Sequence, residues 1–215
     1  TTAATAPQLD YVVAKLPRFP FDKFSTASNK LGTQMKATGE VMGIGSNLEE
    51  CLLKSVRCLE TGADHFWLAK FADKSESELL DYIAEFRDDG IFAVAELIRR
   101  GVGIEKLHEV TMITKLFLES LKKIVDTENE LKANVGDIDT LRKAKQLGFC
   151  DAVIGRLWGM AEIDVTNKRI EAGIVPVYRM ADTLHTGAYI PYFYSSYSGE
   201  NRSRVTDKKK IIVLG

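Results

Sequence analysis

The chain has 215 residues, which suits one large domain or two small ones. Its composition is 45% hydrophobic and 27% charged, as in soluble globular proteins, and its net charge of −1 gives no bulk attraction to nucleic acid or to an anionic membrane. The longest strongly apolar run, residues 91–95, is far shorter than the ~20 residues of a membrane helix. Because the amino end also lacks the regions of a signal peptide, we predict a cytoplasmic protein without nucleic-acid or membrane partners.

The amino-terminal part predicts strands followed by a helix. Residues 9–19, "LDYVVAKLPRF", are rich in β-branched and aromatic residues and predict a strand that Pro17 ends. The "TQMKATGEVMGIG" of residues 33–45, in which glycines flank Val41-Met42, predicts two short strands around a tight turn. Its glycine spacing does not match the dinucleotide fingerprint, and no lysine follows as in a phosphate loop, so the turn is the favoured interpretation. Ser46 and Glu49 have the spacing of a capping box that begins a helix.

Residues 75–173 predict helices and little else. Ser75 and Glu78 form a second capping box, and Asp139 is placed to cap a later helix. Apolar residues recur with helical spacing, and most of the segments end at a glycine. The predicted helices cover residues 76–89, 91–100, 112–133, 140–147, 151–158 and 162–172.

The last two of these helices have the order of a helix-turn-helix over residues 147–172. A DNA-reading helix needs a basic face. Lys168 and Arg169 supply two cations, whereas three acids lie in the same helix. A structural helix pair is therefore favoured, and a nucleic-acid-binding module remains the alternative.

Three histidines and three cysteines are the candidates for metal or nucleophile chemistry: His65, His108 and His185, and Cys51, Cys58 and Cys150. The histidines are far apart in sequence, and no CxxC is present, so we predict reduced, buried thiols and no metal site. The pair Asp182-Thr183 either binds a polar group or caps a loop. The sequence gives no catalytic residue.

Beyond Gly173 the sequence again predicts extended structure. Four tyrosines within residues 188–197 are interpreted as anchors that hold a connecting segment against a surface. The closing "KKKIIVLG", residues 208–215, has the pattern of a buried strand that ends at the glycine of a nucleotide-binding loop.

Taken in order, these segments resemble part of the carbamoyl-phosphate synthase large chain. Residues 9–45 resemble the end of its first ATP-grasp half, and "VTMITKLFLESLKKIV" with "AKQLGFCDAVIGRLWGMAEIDVTNKR" resembles its helical oligomerisation domain. "VPVYRMADTL", "YFYSSY" and "KKKIIVLG" resemble its exit segment and the first strand of its second half. The similarity extends over about residues 9–215. It is most specific at residues 11–45 and 192–215.

The resemblance implies a mainly α fold, a helical oligomerisation and connection domain flanked by short β-strand remnants of neighbouring ATP-grasp units. The implied divisions are residues 1–60 for the end of the first, carboxyphosphate half, 61–190 for the helical domain, and 191–215 for a linker and the first strand of the second, carbamoyl phosphate half. The chain is thus interpreted as a piece of a larger protein. We expect its two flanking strands, 9–19 and 208–215, to be disordered or to pair with each other or with a neighbouring chain.

The resemblance also implies a function. The family's enzyme is an ATP-dependent ligase that makes carbamoyl phosphate from bicarbonate, glutamine-derived ammonia and two ATP, for arginine and pyrimidine synthesis. It uses a glutaminase small subunit, and its ATP, Mg²⁺ or Mn²⁺ and K⁺ ligands lie outside this chain, which is predicted to be inactive alone and to self-associate. Glu40 matches a glutamate near the family's carbamate path, with a solvated turn carboxylate as the alternative. The chain departs from the family at residues 114–116 and 184–187, so contacts made there are not carried over.

Overall fold

The computed structural model describes residues 9–24, 26–182, 188–189 and 191–213. Within them the chain forms eight α-helices, one 3₁₀ turn (Ala69–Phe71) and two small antiparallel sheets. The strands are β1 (Val12–Arg18), β2 (Gly39–Gly45), β3 (Val177–Met180) and β4 (Phe193–Ser196). The helices are α1 (Leu48–Cys58), α2 (Glu76–Ala84), α3 (Gly90–Arg99), α4 (Ile104–Thr111), α5 (Lys115–Ala133), α6 (Ile138–Gln146), α7 (Asp151–Trp158) and α8 (Glu162–Glu171). The mainly helical fold class is confirmed.

The longest helix, α5, lies at the centre of the helical block. It contacts α1, α3, α4, α6 and α7. Its apolar stripe is buried and joins a core shared by all eight helices. The stripe consists of Leu118, Leu121, Ile124, Val125 and Leu131. An amphipathic helix of this kind is stabilised chiefly by burying that stripe against its neighbours.

The β1–β2 pair packs on α1 through a close backbone approach. β1 and β2 pair antiparallel from Val12 opposite Gly45 to Arg18 opposite Gly39. A Cβ atom on Gly43 would lie 2.4 Å from the Cys51 carbonyl oxygen. One on Gly45 would lie 2.8 Å from the Glu50 carboxyl carbon. The glycines are therefore required by helix packing, and the prediction of a tight turn within residues 39–45 was wrong.

Two further predictions about the strands are corrected by this pairing. Residues 9–19 contain β1, whose partner is β2 of the same chain, rather than residues 208–215 or a neighbour. Residues 211–213 form no strand and are 81–89% exposed, because no neighbouring strand lies beside them to satisfy their backbone. The last two residues lie outside the described ranges. The division of the chain at residues 60 and 190 stays a prediction.

One of the three predicted helix caps is confirmed, and the other two are displaced by one or two residues. Ser75 and Glu78 form the predicted capping box of α2. The cap of α1 is Asn47, whose Oδ1 accepts from the Glu50 amide at 2.8 Å, rather than Ser46. The cap of α6 is Asp137 rather than Asp139. Helix α4 was not predicted.

Glu50 joins the helical block to both sheets. Its side chain is buried, and Oε2 accepts hydrogen bonds from the amide and hydroxyl of Ser46 and from Ser196 Oγ of β4 at 2.8, 2.9 and 3.1 Å. Lys54 pairs with Oε1 at 2.9 Å and donates to the backbone oxygens of Ile44 and Ser195. The second sheet is thereby held beside the first.

Candidate self-association surface

Large exposed apolar side chains concentrate where α4 meets α5 and at the end of α2. Phe86, Met112, Leu116 and Phe117 are 54%, 72%, 65% and 45% exposed. The next apolar residues of α5, Leu118 and Leu121, are buried. The first turn of this helix therefore presents apolar groups to solvent at the edge of the core. We call these four exposed residues the junction patch.

Two residues of the junction patch, Phe86 and Phe117, are connected along the surface. Phe86 lines a shallow hollow of about 100 Å³ together with Ile91 and Ile113. The same two isoleucines line an adjoining groove of about 350 Å³, whose wall includes Phe117 and the β1 residue Val13. The other two patch residues, Met112 and Leu116, are chain neighbours of Ile113 and Phe117.

Two patch residues have a backbone conformation that opposes their side chains. Phe86 and Met112 have φ values of 52° and 58°, which lie in the left-handed region. A residue with a Cβ pays about 1–2 kcal/mol there, and glycine or asparagine is the usual occupant. Neither side chain is buried, so neither recovers this cost by packing within the chain. Strained, exposed apolar residues are typical of sites with a partner.

The junction patch has the size of an interface core. With roughly 200 Å² for a fully exposed large apolar residue, the four exposed fractions leave about 450–500 Å² of apolar surface. A specific interface buries ~800 Å² on each partner, a little over half of it apolar, or about 450 Å². The junction patch is therefore sufficient for one side of a stable contact.

The rim carries both signs of charge. Lys115 pairs with Glu105 beside Leu116, and Glu85 lies between Lys30 and Arg87 beside Phe86. A two-fold contact places one surface against a copy of itself, so acids and bases on the same rim can meet opposite charges of the second copy. This rim is compatible with such a contact.

The structure places Glu40 away from the junction patch. It lies on the outer face of β2, exposed to solvent, with its carboxylate 2.7 Å from Lys15 Nζ of β1. An exposed pair of this kind contributes little to stability. Its role near a carbamate path stays a prediction.

The predicted helix pair at residues 147–172 is present as α7 and α8. Arg169 does not face solvent, because its Nε donates to Asp151 Oδ2 at 2.6 Å and its side chain is only 15% exposed. Glu162, Asp164 and Glu171 are on the solvent side. No contact in the described part of the chain favours the nucleic-acid alternative.

The histidines and cysteines are dispersed. His65 is buried, with Nε2 2.5 Å from Glu128 Oε1, and His108 Nδ1 lies 2.7 Å from the Ile113 carbonyl oxygen. The described residues hold no group of three or more His, Cys, Asp or Glu side chains able to bind a metal. Asp182 is buried. Thr183 and His185 lie outside the described ranges.

All three cysteines are free thiols, but they are not equally buried. Cys51 is fully buried; burial, together with the nearby Glu50 charge, raises the pKa of its thiol to about 12. Cys150 is half-buried, and Cys58 is exposed, so the prediction of a buried thiol was wrong there. The tyrosine anchors are confirmed in part, since Tyr194 is buried and Tyr197 is half-buried, whereas Tyr189 and Tyr192 are exposed.

Comparison with known families identifies a matching family model. The family model for the oligomerisation domain of the carbamoyl-phosphate synthetase large chain matches residues 40–173, more than half of the chain. The matched segment includes α1 to α8 and all four residues of the junction patch. No helix of the described part is both long enough and apolar enough to cross a membrane.

Proposed function

Since the chain belongs to the family of oligomerisation domains of the carbamoyl-phosphate synthetase large chain, we propose that it self-associates through the junction patch and joins the two ATP-grasp halves of that enzyme. The observation that carries the proposal is the exposure of Phe86, Met112, Leu116 and Phe117, of which Phe86 and Phe117 line two adjoining depressions. A second copy is the occupant that this surface fits, because its apolar area is that of one side of a specific contact and its rim carries charges of both signs.

The surrounding fold supports a connecting role. One two-stranded sheet precedes the helical block in the chain and the other follows it, and Lys54 and Glu50 of α1 hold the two sheets side by side. Two strands alone are marginal as a sheet in water. Small sheets attached to a rigid helical block are suited to extension by strands of adjoining units.

In this proposal the complete large chain, with its glutaminase partner, makes carbamoyl phosphate from bicarbonate, glutamine-derived ammonia and two ATP. This supplies arginine and pyrimidine synthesis in the cytoplasm. ATP, Mg²⁺ or Mn²⁺ and K⁺ bind to other parts of the enzyme, and this segment provides no catalytic group. Glu40 then borders the carbamate path of the first half.

Light scattering coupled to size exclusion over a dilution series tests the self-association. We expect the wild-type mass to fall from a dimer or larger towards a monomer on dilution. Leu116→Glu places a charge in the patch, so it should remain monomeric at concentrations where the wild type associates. Ile163→Glu is the matched control, because Ile163 is 61% exposed on α8, away from the patch.

Circular dichroism should show that both variants keep the helical content of the wild type, because neither side chain is buried. Association of Leu116→Glu equal to that of wild type would show that the junction patch is not the interface. A wild type that is monomeric at every concentration would refute the self-association itself. Calorimetry on the same sample should detect no heat of ATP binding.

A further inference from the structure

A small polar cavity lies where α1, the α6–α7 turn and β4 meet. It has a volume of about 130 Å³. Glu50, Lys54 and Arg57 of α1 line one side, Lys145 lines another, and Ser196 and Tyr197 line the side that continues from β4. Three cations and one carboxylate, which is paired with Lys54, thus surround a space that holds only a few small molecules.

Positive charge exceeds negative charge around this cavity. Lys54 pairs with Glu50, while Lys145 and Arg169 share the single carboxylate of Asp151, each at 2.6 Å. Arg57 forms no ion pair with any of the described residues. Four cations are therefore matched by two carboxylates.

Two of these four cations have little contact with water, whereas Arg57 is half-buried. Lys145 is 4% exposed, and burial lowers the pKa of its ammonium group while Asp151 opposes that change. The Tyr197 ring covers Lys145 at 4.6 Å and Arg169 at 5.7 Å from its centroid, and cation–π contact compensates part of their charge. Lys145 and Arg169 still have only Asp151 between them, so an anion in the cavity would balance the remaining charge.

Hydrogen-bond donors remain available on the cavity wall. The one bond that Arg57 makes within the described chain is from Nη1 to the Gly148 carbonyl oxygen at 2.9 Å, which leaves Nε and Nη2. Lys145 uses two of its three donors, on Phe149 O and Asp151 Oδ1. A guanidinium edge beside an ammonium group is the usual means by which proteins hold phosphate or carboxylate oxygens.

We propose that this cavity binds a small oxyanion of the size and charge of inorganic phosphate, held by Arg57 and Lys145. The site is separate from the junction patch and does not depend on the proposed self-association. Because Ser196 and Tyr197 form one wall, the bound anion also fastens the β4 segment to α1. The anion therefore stabilises the junction between the helical block and the second sheet.

Phosphate titration at constant ionic strength, followed by calorimetry and thermal unfolding, tests the site. Wild type should bind with saturation, and its unfolding temperature should keep rising with the logarithm of phosphate concentration above Kd. Sulfate should compete and chloride should not. Arg57→Gln should weaken binding at least tenfold, and Lys132→Gln, which removes an exposed lysine elsewhere, should leave it unchanged.

Arg57→Lys keeps the positive charge but loses the paired N–H donors of the guanidinium group. This variant should bind phosphate more weakly than wild type and more tightly than Arg57→Gln. It also preserves the test if Arg57→Gln does not fold. Hydrogen exchange of the amides of residues 193–197 should slow on addition of phosphate. An equal response of wild type and the Arg57 variants would reflect general salt stabilisation, and it would overturn the proposal, as would the absence of saturation in wild type.

Discussion

Arg99 of α3 and Glu128 of α5 form a two-point ion pair inside the helical block, with Nε 2.8 Å from Oε2 and Nη2 2.6 Å from Oε1. Glu128 also faces His65 Nε2, and Arg99 donates to the Phe66 carbonyl oxygen at 2.6 Å. The pair therefore fixes α5 to α3 and to the segment that follows α1. A charge pair in such a buried position is costly to break, because the remaining partner is left without compensation.

The pair predicts a specific loss of stability in acid. Burial alone would raise the pKa of Glu128, but the hydrogen bonds from Arg99 and His65 outweigh burial and hold the pKa at about 2, below the ordinary 4.5. A folded-state pKa below the unfolded one stabilises the fold above pH 4.5. This contribution, about 3 kcal/mol, is lost as pH falls from 4.5 towards 2. Urea unfolding at a series of pH values measures it.

Glu128→Gln isolates this contribution from that of other carboxylates. The variant should be about 3 kcal/mol less stable than wild type at pH 7, and the difference should shrink as pH falls below 4. Glu130→Gln is the control, because Glu130 is an exposed residue of α5 that pairs with Lys143. Its effect should stay within about 0.5 kcal/mol at every pH. A constant difference between wild type and Glu128→Gln would contradict the assignment.

The close approach of β2 to α1 predicts that Gly43 cannot be replaced even by alanine. The added Cβ would lie 2.4 Å from Cys51 O and 2.5 Å from Ser55 Oγ, both on a packed helix. We expect Gly43→Ala to lower the free energy of unfolding by about 1–3 kcal/mol. Gly39→Ala is the control, since nothing lies within 4 Å of its added Cβ. Equal stability of the two variants would show that β2 can move away from α1 at no cost.

Local signals in the sequence were sufficient to predict a helix cap where only one capping residue was available. The α2 cap was predicted because Ser75 and Glu78 complete it within one turn. The α1 cap was displaced by one residue because both Glu49 and Glu50 follow suitable caps. The helix uses the second of these, with Asn47 capping the Glu50 amide. The Glu50 carboxylate in turn bonds Ser196, a residue 146 positions away. A contact at that separation leaves no mark in helical spacing.

The junction patch could not be predicted from the sequence, because apolar spacing did not locate the helix boundary. Apolar spacing predicted one helix over residues 112–133, whereas the chain forms α4, turns at Met112, and begins α5 at Lys115. A left-handed turn is usually signalled by glycine, and here methionine occupies it. Spacing also cannot distinguish an apolar residue that packs in the core from one that packs on a partner. Leu116 and Phe117 therefore fit the apolar face of the predicted helix, although both are exposed.

Replacing Met112 by glycine should raise the stability of the monomer and weaken its self-association. Its amide donates to the His108 carbonyl oxygen at 2.8 Å in a left-handed helix cap, and its side chain is 72% exposed. Met112→Gly relieves the backbone strain and should raise the stability of the dilute monomer by about 1 kcal/mol. The same change removes apolar surface from the junction patch, so it should weaken self-association by roughly tenfold.

Met160→Gly provides the matched control, because Met160 is also exposed but has no positive φ. Met160 is 38% exposed, so glycine there adds freedom to the unfolded chain and also removes packing of a partly buried side chain; stability should fall by about 1–2 kcal/mol, and association should not change. Thermal unfolding at low concentration and light scattering at high concentration separate the two effects. A loss of monomer stability in Met112→Gly would mean that the methionine packs within its own chain, and the strain at this turn would then have no connection with a partner.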